Sequence, residues 1–298
     1  MNISQLKYFC AVCELQTVSA AAEYLHISQP SLSNAIKELE NEFGVCLFKR
    51  CYRGMTLTDE GQKFYEMSKD ILNSAEYAEN VMKDLGAGRK KLRLGIPPMI
   101  GSIILPYIYR DFFSENQDIV PEIVEGGRNE LIKKLSENYL DMLFIPHSQL
   151  PDAGLSTMQV AKLEMGFCTS AENGKSDEIV PKQLENEPLV LFEDNFFQTE
   201  EIKKWFKKDG VEPDILLQTG QLSTMMTIIS KNVASGFMFR KLVEDNDGIV
   251  YSKVNPPLYA NVSLVWKKES YLFSNMKKFK EYVKEKLSAD INDYGRNL

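Results

Sequence analysis

Four groups of residues have types and spacings that could do chemistry. Cys10 and Cys13 form a C-x-x-C, the spacing of half a zinc site or of a redox pair. They also fall with Leu6 and Phe9 at i, i+3, i+4 and i+7, one face of a helix, where a thiol behaves as a small buried hydrophobe. Gln29, Pro30, Ser31, Ser33, Asn34 and Lys37 cluster small polar side chains, the kind that meet base edges in a DNA groove. Lys49, Arg50 and Arg53 bring positive charge to one short stretch, suited to phosphate. Ser102, Arg128, His147 and Thr224 are polar positions scattered between apolar runs. No G-x-S-x-G, P-loop or metal-spaced cluster of His or Cys is present, so neither an enzyme, a cofactor nor a metal is expected.

The elements that must position these groups are set by length and pattern. The chain has 298 residues, room for roughly two domains at about 150 residues each. It is 44% hydrophobic and 26% charged, with no apolar run near the ~18 residues of a membrane span. The apolar stretch from Tyr8 to Cys13 is too short for a secretory signal and Glu14 interrupts it, so a cytoplasmic protein is expected. There no structural disulfide is expected among the five cysteines. The net charge of −7 argues against a protein that coats nucleic acid without selectivity. Residues 1–58 nevertheless balance five bases against five acids, with three of the bases within Lys49 to Arg53.

Four helical signals crowd the first ninety residues. The first runs from about Ser4 to Leu15, and the second starts after Thr17 or Ser19 and carries Ala20, Ala21 and Ala22. After the turn at His26 and Ile27, Ser28 caps a third helix that tolerates Pro30 in its first turn and stops at Gly44. Leu32, Ile36, Leu39 and Phe43 form its packing stripe, which leaves the polar cluster outward in a helix-turn-helix. Leu47 to Arg50 and Met55 to Thr58 read as a hairpin, a candidate wing. Thr58, Asp59 and Glu60 start a long helix whose Phe64, Met67, Ile71, Ala75, Ala78, Met82 and Leu85 form a heptad-like seam. A seam of that length requires a partner, expected to be a second copy. Gly86 to Gly88 ends it.

Beyond residue 91 strands and helices alternate. Strands are expected at 92–96, 119–125, 142–145, near 167, at 189–192, at 215–218 and near 237. Helices are expected at 102–113, 128–137, 199–207, 223–232 and 274–287. The alternation implies a parallel sheet.

These residues resemble the LysR-type transcriptional regulators over essentially the whole chain. The resemblance is carried by Leu6 to Phe9, Ser19 to Ser33, Ile36 to Glu40, Gly44 to Arg50 and Leu57 to Gly61. Weaker landmarks are Leu92 to Gly95, Leu140 to Leu143 and Val233 to Gly236. The family resemblance implies an α/β chain with an N-terminal winged helix-turn-helix (1–58), a dimerising linker helix (59–88) and an effector domain (91–298). It also implies that the effector domain has two subdomains resembling periplasmic binding proteins, about 91–162 with 267–298 and about 163–266. The implied partners are a double-stranded DNA operator, a small-molecule effector, a second copy in a homodimer or homotetramer, and RNA polymerase, with no membrane. Asn34 stands where many relatives have Arg, and Pro97 and Pro98 where many have Ser or Thr.

In open α/β sheets a ligand sits beyond the carboxyl ends of the strands. Pro98, Met99, Ser102, Arg128, His147, Phe192, Thr224 and Met238 occupy such positions and are the candidate effector-binding residues, with Ser102 and Thr224 expected as donors at helix starts. Gln29, Pro30, Ser31, Ser33, Asn34, Lys37, Arg50 and Arg53 are the candidate DNA-binding residues. A redox-responsive or effector-independent regulator is the alternative, although a disulfide switch needs two cysteines and the second half has only Cys168.

Overall fold

The computed structural model describes residues 1–51, 54–88, 90–148, 154–174, 178–244 and 246–293. Its contacts form two compact units, Met1–Met82 and Lys83–Leu298. In the first, α1 (Ile3–Leu15) starts from a reciprocal cap in which the Asn2 side chain accepts from the Gln5 amide and the Gln5 side chain accepts from the Asn2 amide, both at 2.9 Å. Thr17, rather than Ser19, caps α2 (Val18–Tyr24) by accepting from the Ala20 amide at 3.2 Å. Ser28 caps α3 (Gln29–Phe43), which ends at Gly44 with a positive φ of 69°. Phe9, Val12, Ala21, Leu32, Ile36, Leu39 and Leu47 close one core beneath these helices. β1 (Phe48–Cys51) and β2 (Gly54–Leu57) pair antiparallel, from Phe48 opposite Leu57 to Cys51 opposite Gly54. The Met55 amide donates to the Gln16 carbonyl at 2.9 Å, which pins this hairpin to the end of α1.

Thr58 starts α4 (Asp59–Ala87), its hydroxyl accepting from the Gly61 amide at 2.8 Å and donating to the Cys46 carbonyl at 2.7 Å. At 1.5 Å per residue the helix is about 43 Å long. Its apolar stripe is not a single unpartnered seam. The Phe64 ring lies 4.9 Å from Phe9 and 5.3 Å from Phe43, so it belongs to the first unit's own core. Met67, Ile71, Met82 and Leu85 stay exposed, by 62%, 37%, 68% and 64%. That correction follows from the approach of α1 and the end of α3, whose Phe9 and Phe43 cover Phe64 in the first turns of α4.

The second unit runs β3 (Lys91–Ile96), α5 (Pro98–Tyr107), β4 (Val120–Glu125), α6 (Arg128–Ser136), β5 (Met142–His147), β6 (Leu155–Ser170), β7 (Glu178–Ile179) and β8 (Leu189–Phe192). It continues with α7 (Phe197–Lys208), β9 (Ile215–Thr219), α8 (Leu222–Ser230), β10 (Ser235–Phe239), β11 (Ile249–Val254), β12 (Leu258–Lys267), α9 (Ser274–Tyr282) and α10 (Ser288–Asp293). The main strand order is β4-β3-β5-β12-β6-β10-β8-β9, with β11 on β6 and β7 on β11. The sheet is mixed, which corrects the expectation of a parallel one. β3, β4 and β5 pair in parallel, as do β8, β9 and β10, but β5, β12, β6 and β10 meet antiparallel. The 16-residue β6 is the reason, because one strand serves both parallel sets.

Side chains on β5 alternate between two helical layers. Leu143 and Ile145 pack with Leu131 and Leu135 of α6. Phe144 points the other way, its ring 6.1 Å from Phe279 of α9, which also meets Phe112 at 5.0 Å. The α6 face and the α9 face of the sheet are therefore distinct. Within β3, Gly95 is required by packing, because a Cβ there would stand 2.6 Å from Leu140 Cδ1. The buried Arg93 guanidinium reaches Asp141 Oδ1 at 2.9 Å while the Arg93 amide donates to Oδ2 at 2.8 Å, tying β3 to the start of β5. In the last turn of α4, Asp84 accepts from the Ser274 amide at 3.0 Å, the Ser274 hydroxyl at 2.6 Å and the Tyr271 hydroxyl at 3.0 Å. A carboxylate from another element thus caps α9, whose own N-cap residue, Phe273, has no side chain that could.

Candidate functional site

The first unit presents α3 as a reading surface. Gln29, Pro30, Ser31, Asn34 and Lys37 are exposed and Ser33 is half-buried, while Leu32, Ala35 and Ile36 on the other side are buried. The Ser31 and Ser28 hydroxyls lie 2.8 Å apart at the helix start. Arg50 is placed on β1 by its backbone, one strand residue from Lys49. Arg53 lies outside the described residues. A helix whose polar first turns are bare and whose rear is locked into a core can enter a major groove without rearranging.

In the second unit the register brings the carboxyl ends of both parallel strand sets together. His147 at the end of β5 pairs with Asn261, which pairs with Lys162 of β6. Phe239 at the end of β10 pairs with Met165 of β6. The two sets thus run toward each other along β6 and stop three residues apart, about 10 Å at ~3.3 Å per residue. Gly127, the N-cap of α6, touches the loop before α7 at this junction, where a Cβ would stand 2.9 Å from both Asn195 Nδ2 and Asn195 O.

The candidate effector residues divide by burial. Met99, Phe192 and Met238 are buried, and the Phe192 ring lies 4.9 Å from that of Phe196, tilted by 38°. His147 is also buried, its Nε2 2.8 Å from Ser263 Oγ. Pro98, Arg128 and Thr224 are partly exposed at the starts of α5, α6 and α8, and the Thr224 hydroxyl donates to Gln221 Oε1 at 2.9 Å. Among the described residues Arg128 forms no ion pair. Ser102 differs from expectation: α5 begins at Pro98, so Ser102 sits in its second turn, exposed, and caps nothing. Proline at the first position has no amide to satisfy, which lets the helix start that early. Sequence reading missed Asn195 and Ser263. Their partners lie far along the chain, and only the Asp-Asn turn at 194–195 gave a local signal.

Cys10 and Cys168 are buried, Cys13 is half-buried and Cys46 is exposed. Burial raises Cys10 to about 11 and Cys168 to about 12. Burial, with Cys10 and Glu14 nearby, pushes Cys13 higher still. All three stay protonated near neutral pH, poor nucleophiles and poor metal ligands. Among the described residues no group of three His, Cys, Asp or Glu side chains is placed to hold a metal.

A winged helix-turn-helix with a bare recognition face, joined to an α/β domain in which two strand sets converge, defines a DNA-binding regulator with a sensing domain. Residues 86–288 match the LysR substrate binding domain and residues 3–62 match the bacterial regulatory helix-turn-helix protein, lysR family. The chain belongs to the LysR family: it is a DNA-binding transcription regulator with an effector-binding domain, not an enzyme. It is similar to the uncharacterised HTH-type transcriptional regulator YwbI of Bacillus subtilis (strain 168), 27% identical over 96% of this chain and 97% of that one. It is also similar to the HTH-type transcriptional regulator CzcR of Bacillus thuringiensis subsp. konkukian (strain 97-27), 24% identical over 96% and 98%. Among solved structures, CbnR, a LysR family transcriptional regulator, shares the fold with a TM-score of 0.73 at 21% identity, over 95% of this chain and 98% of that one. CbnR has also been solved with its target DNA, at the same TM-score. No helix among the described residues is long and apolar enough to cross a membrane.

Proposed function

We propose that the chain controls transcription in the cytoplasm from an operator read by α3, under the influence of a small molecule held where the two strand sets converge. In this reading Gln29, Pro30, Ser31, Ser33, Asn34 and Lys37 meet base edges, and Arg50 and Arg53 of the wing anchor to phosphate. The effector touches Arg128 and Thr224 at helix starts, with Pro98, Met99, His147, Phe192 and Met238 forming the walls behind. The functional divisions are 1–58 for recognition, 59–88 for dimerisation and 91–298 for sensing, the last built from 91–162 with 267–298 and from 163–266. Exposed Met67, Ile71 and Met82 support pairing of two copies along α4 into a dimer or a tetramer, which places the regulator to act on RNA polymerase. The observation that carries the sensing role is the register along β6, which stops both strand sets at one junction. Ligands of open α/β sheets bind at such ends. Burial of Cys10 and Cys168 disfavours those two thiols as redox switches.

The test is footprinting upstream of the protein's own gene with and without candidate metabolites, followed by affinity measurements on operator and random DNA across a salt series. Asn34→Ala should cost about 1–3 kcal/mol on the operator and little on random sequence. Arg53→Ala should weaken both and reduce the log–log salt slope by about 0.9. Equal losses on both DNAs for Asn34→Ala would remove α3 as the reader. A footprint that no metabolite alters, with Thr224→Ala equally silent, would remove the sensing role.

A further inference from the structure

Asn173 and Gly174 form the only Asn-Gly pair in the chain. Asn173 ends a single 3-10 turn, Ala171–Asn173, that follows β6, and both members of the pair are exposed. Gly174 closes the turn with a positive φ of 72°, and a Cβ there would meet nothing within 4 Å among the described residues, so nothing on that side shields its amide from water. That amide donates to the Ala171 carbonyl at 3.4 Å, a long and weak bond. The glycines of the Asp-Gly pairs at 209–210 and 247–248 are held more firmly: the Gly210 amide donates to the Lys207 carbonyl at 3.2 Å and the Gly248 amide to Asn246 Oδ1 at 3.0 Å.

The Asn173 carboxamide heads a hydrogen-bonded chain whose polarity is fixed. Its Nδ2 donates one proton to Thr169 Oγ1 at 2.8 Å and the other to Asn232 Oδ1 at 2.7 Å. Thr169 Oγ1 and Ser235 Oγ lie 3.2 Å apart, and Ser235 donates to Glu187. Ser235 has one hydroxyl proton and a carboxylate only accepts, so Thr169 supplies the proton between the two hydroxyls. Each proton from Asn173 to Glu187 is thereby committed. Thr169 near the end of β6 and Ser235 at the start of β10 are buried. Asn232, left-handed at a φ of 57°, donates its amide to the Ile229 carbonyl at 3.0 Å and so closes the end of α8. One side chain, Asn173, ties these three elements together.

We propose that Asn173 is a site of spontaneous deamidation, restrained by its two hydrogen bonds, and that the product unties α8 from β6 and β10. In the reaction the Gly174 amide nitrogen, deprotonated by hydroxide, attacks Asn173 Cγ. Glycine allows the approach because no Cβ crowds the attacking nitrogen. The N–Cγ bond forms, the Cγ–Nδ2 bond breaks, and Nδ2 leaves as ammonia with a proton taken from water. Water then opens the succinimide at either carbonyl, which leaves aspartate or isoaspartate at position 173. A group with two donors becomes a carboxylate that only accepts. Turning the Thr169 hydroxyl toward it strips the proton from the Thr169–Ser235 contact. Turning the Asn232 amide sets its oxygen against Glu172, whose Oε2 lies 3.5 Å from Asn232 Nδ2. Neither rearrangement restores the chain, and the isoaspartyl form also lengthens the backbone of the turn. The modification is independent of what the sensing domain binds.

The test is incubation of the full chain at near-neutral and at alkaline pH, followed by peptide mapping with mass spectrometry and by isoaspartate labelling with a carboxyl methyltransferase. Conversion should appear at Asn173 before any other Asn or Asp, and faster at alkaline pH. Asn232→Gly keeps the left-handed backbone, removes one restraint and should speed conversion roughly two- to tenfold, the factor carried by one neutral hydrogen bond. Thr169→Val removes the other acceptor and should act in the same direction. Asn173→Gln should stop the reaction, since its carboxamide is one atom too far for a five-membered ring. Asn173→Asp reproduces one product and should lower Tm by about 2–4 °C. The unaltered chain decides the site without any variant: conversion of another asparagine while Asn173 stays intact would overturn the proposal. So would an unchanged rate in both Asn232→Gly and Thr169→Val, or the parental Tm in Asn173→Asp.

Discussion

Asp84→Ala tests how the end of α4 is fixed. Asp84 is 9% exposed, and among the described residues its carboxylate accepts from the Ser274 amide, the Ser274 hydroxyl and the Tyr271 hydroxyl. Hydrogen bonds to a charged group contribute about 1.5–3 kcal/mol each, but these share one carboxylate, and Ser274 and Tyr271 are near enough to solvent to recover water. Loss of an N-cap alone costs about 0.5–2 kcal/mol. Together these give an expected loss of about 2–4 kcal/mol in the second unit, a fall in Tm of roughly 5–15 °C for a domain of this size. Asp84→Asn keeps one acceptor and should lose about half as much. Thermal unfolding followed by near-UV circular dichroism reads the total. Hydrogen exchange at the Ser274 amide localises it, which matters because a chain of two units need not unfold in one step. A Tm within a degree of the parent, or unchanged protection at Ser274, would refute the capping role.

Ile71→Glu should lower the oligomeric state in sedimentation while leaving the monomer's fold intact, because Ile71 is 37% exposed; an unchanged assembly would exclude this part of α4 as the interface. Gly127→Ala keeps an allowed backbone, φ −72° and ψ 158°, yet places its Cβ 2.9 Å from Asn195 O, so it should destabilise the second unit by about 1–3 kcal/mol, measured by urea unfolding. Asp194 is held below its ordinary value of 3.8 by Lys203 and then by Gln218. Its contribution to stability is therefore present above that value and lost as the pH falls through the folded value, and Asp194→Asn should flatten the acid limb of a stability profile between pH 5 and pH 2.

The N-terminal unit was largely legible because its signals are local. Ser28, Pro30 and Gly44 mark the ends of α3 within the helix itself, and the spacing of Leu32, Ile36 and Leu39 marks its buried side. The pattern does not say what covers a stripe: Phe64 reads like Met67, yet one meets Phe9 and the other stays exposed. The mixed sheet was hidden for a related reason. Lys162 and Glu164 interrupt the apolar run of β6, and its partner β12 comes nearly a hundred residues later. Pro106 inside α5 removes the amide that would bond the Ser102 carbonyl, and a wide turn at Ile108–Phe113 follows, a detail that helical periodicity passes over.

The order in which the sheet is completed differs from the order in which the chain is made. β3, β4 and β5 are synthesised first, but β12 is the strand that covers the free edge of β5, and α9 supplies the Phe279 that packs on Phe112 and Phe144. While the ribosome adds the intervening residues, at about 5–20 per second, β5 has an open edge and an uncovered aromatic face. β8, β9 and β10 acquire their neighbours earlier, because β6 precedes them. The part of the domain that emerges first is thus the last to become stable, and a nascent chain stalled before residue 258 exposes the surface most prone to aggregate or to recruit a chaperone.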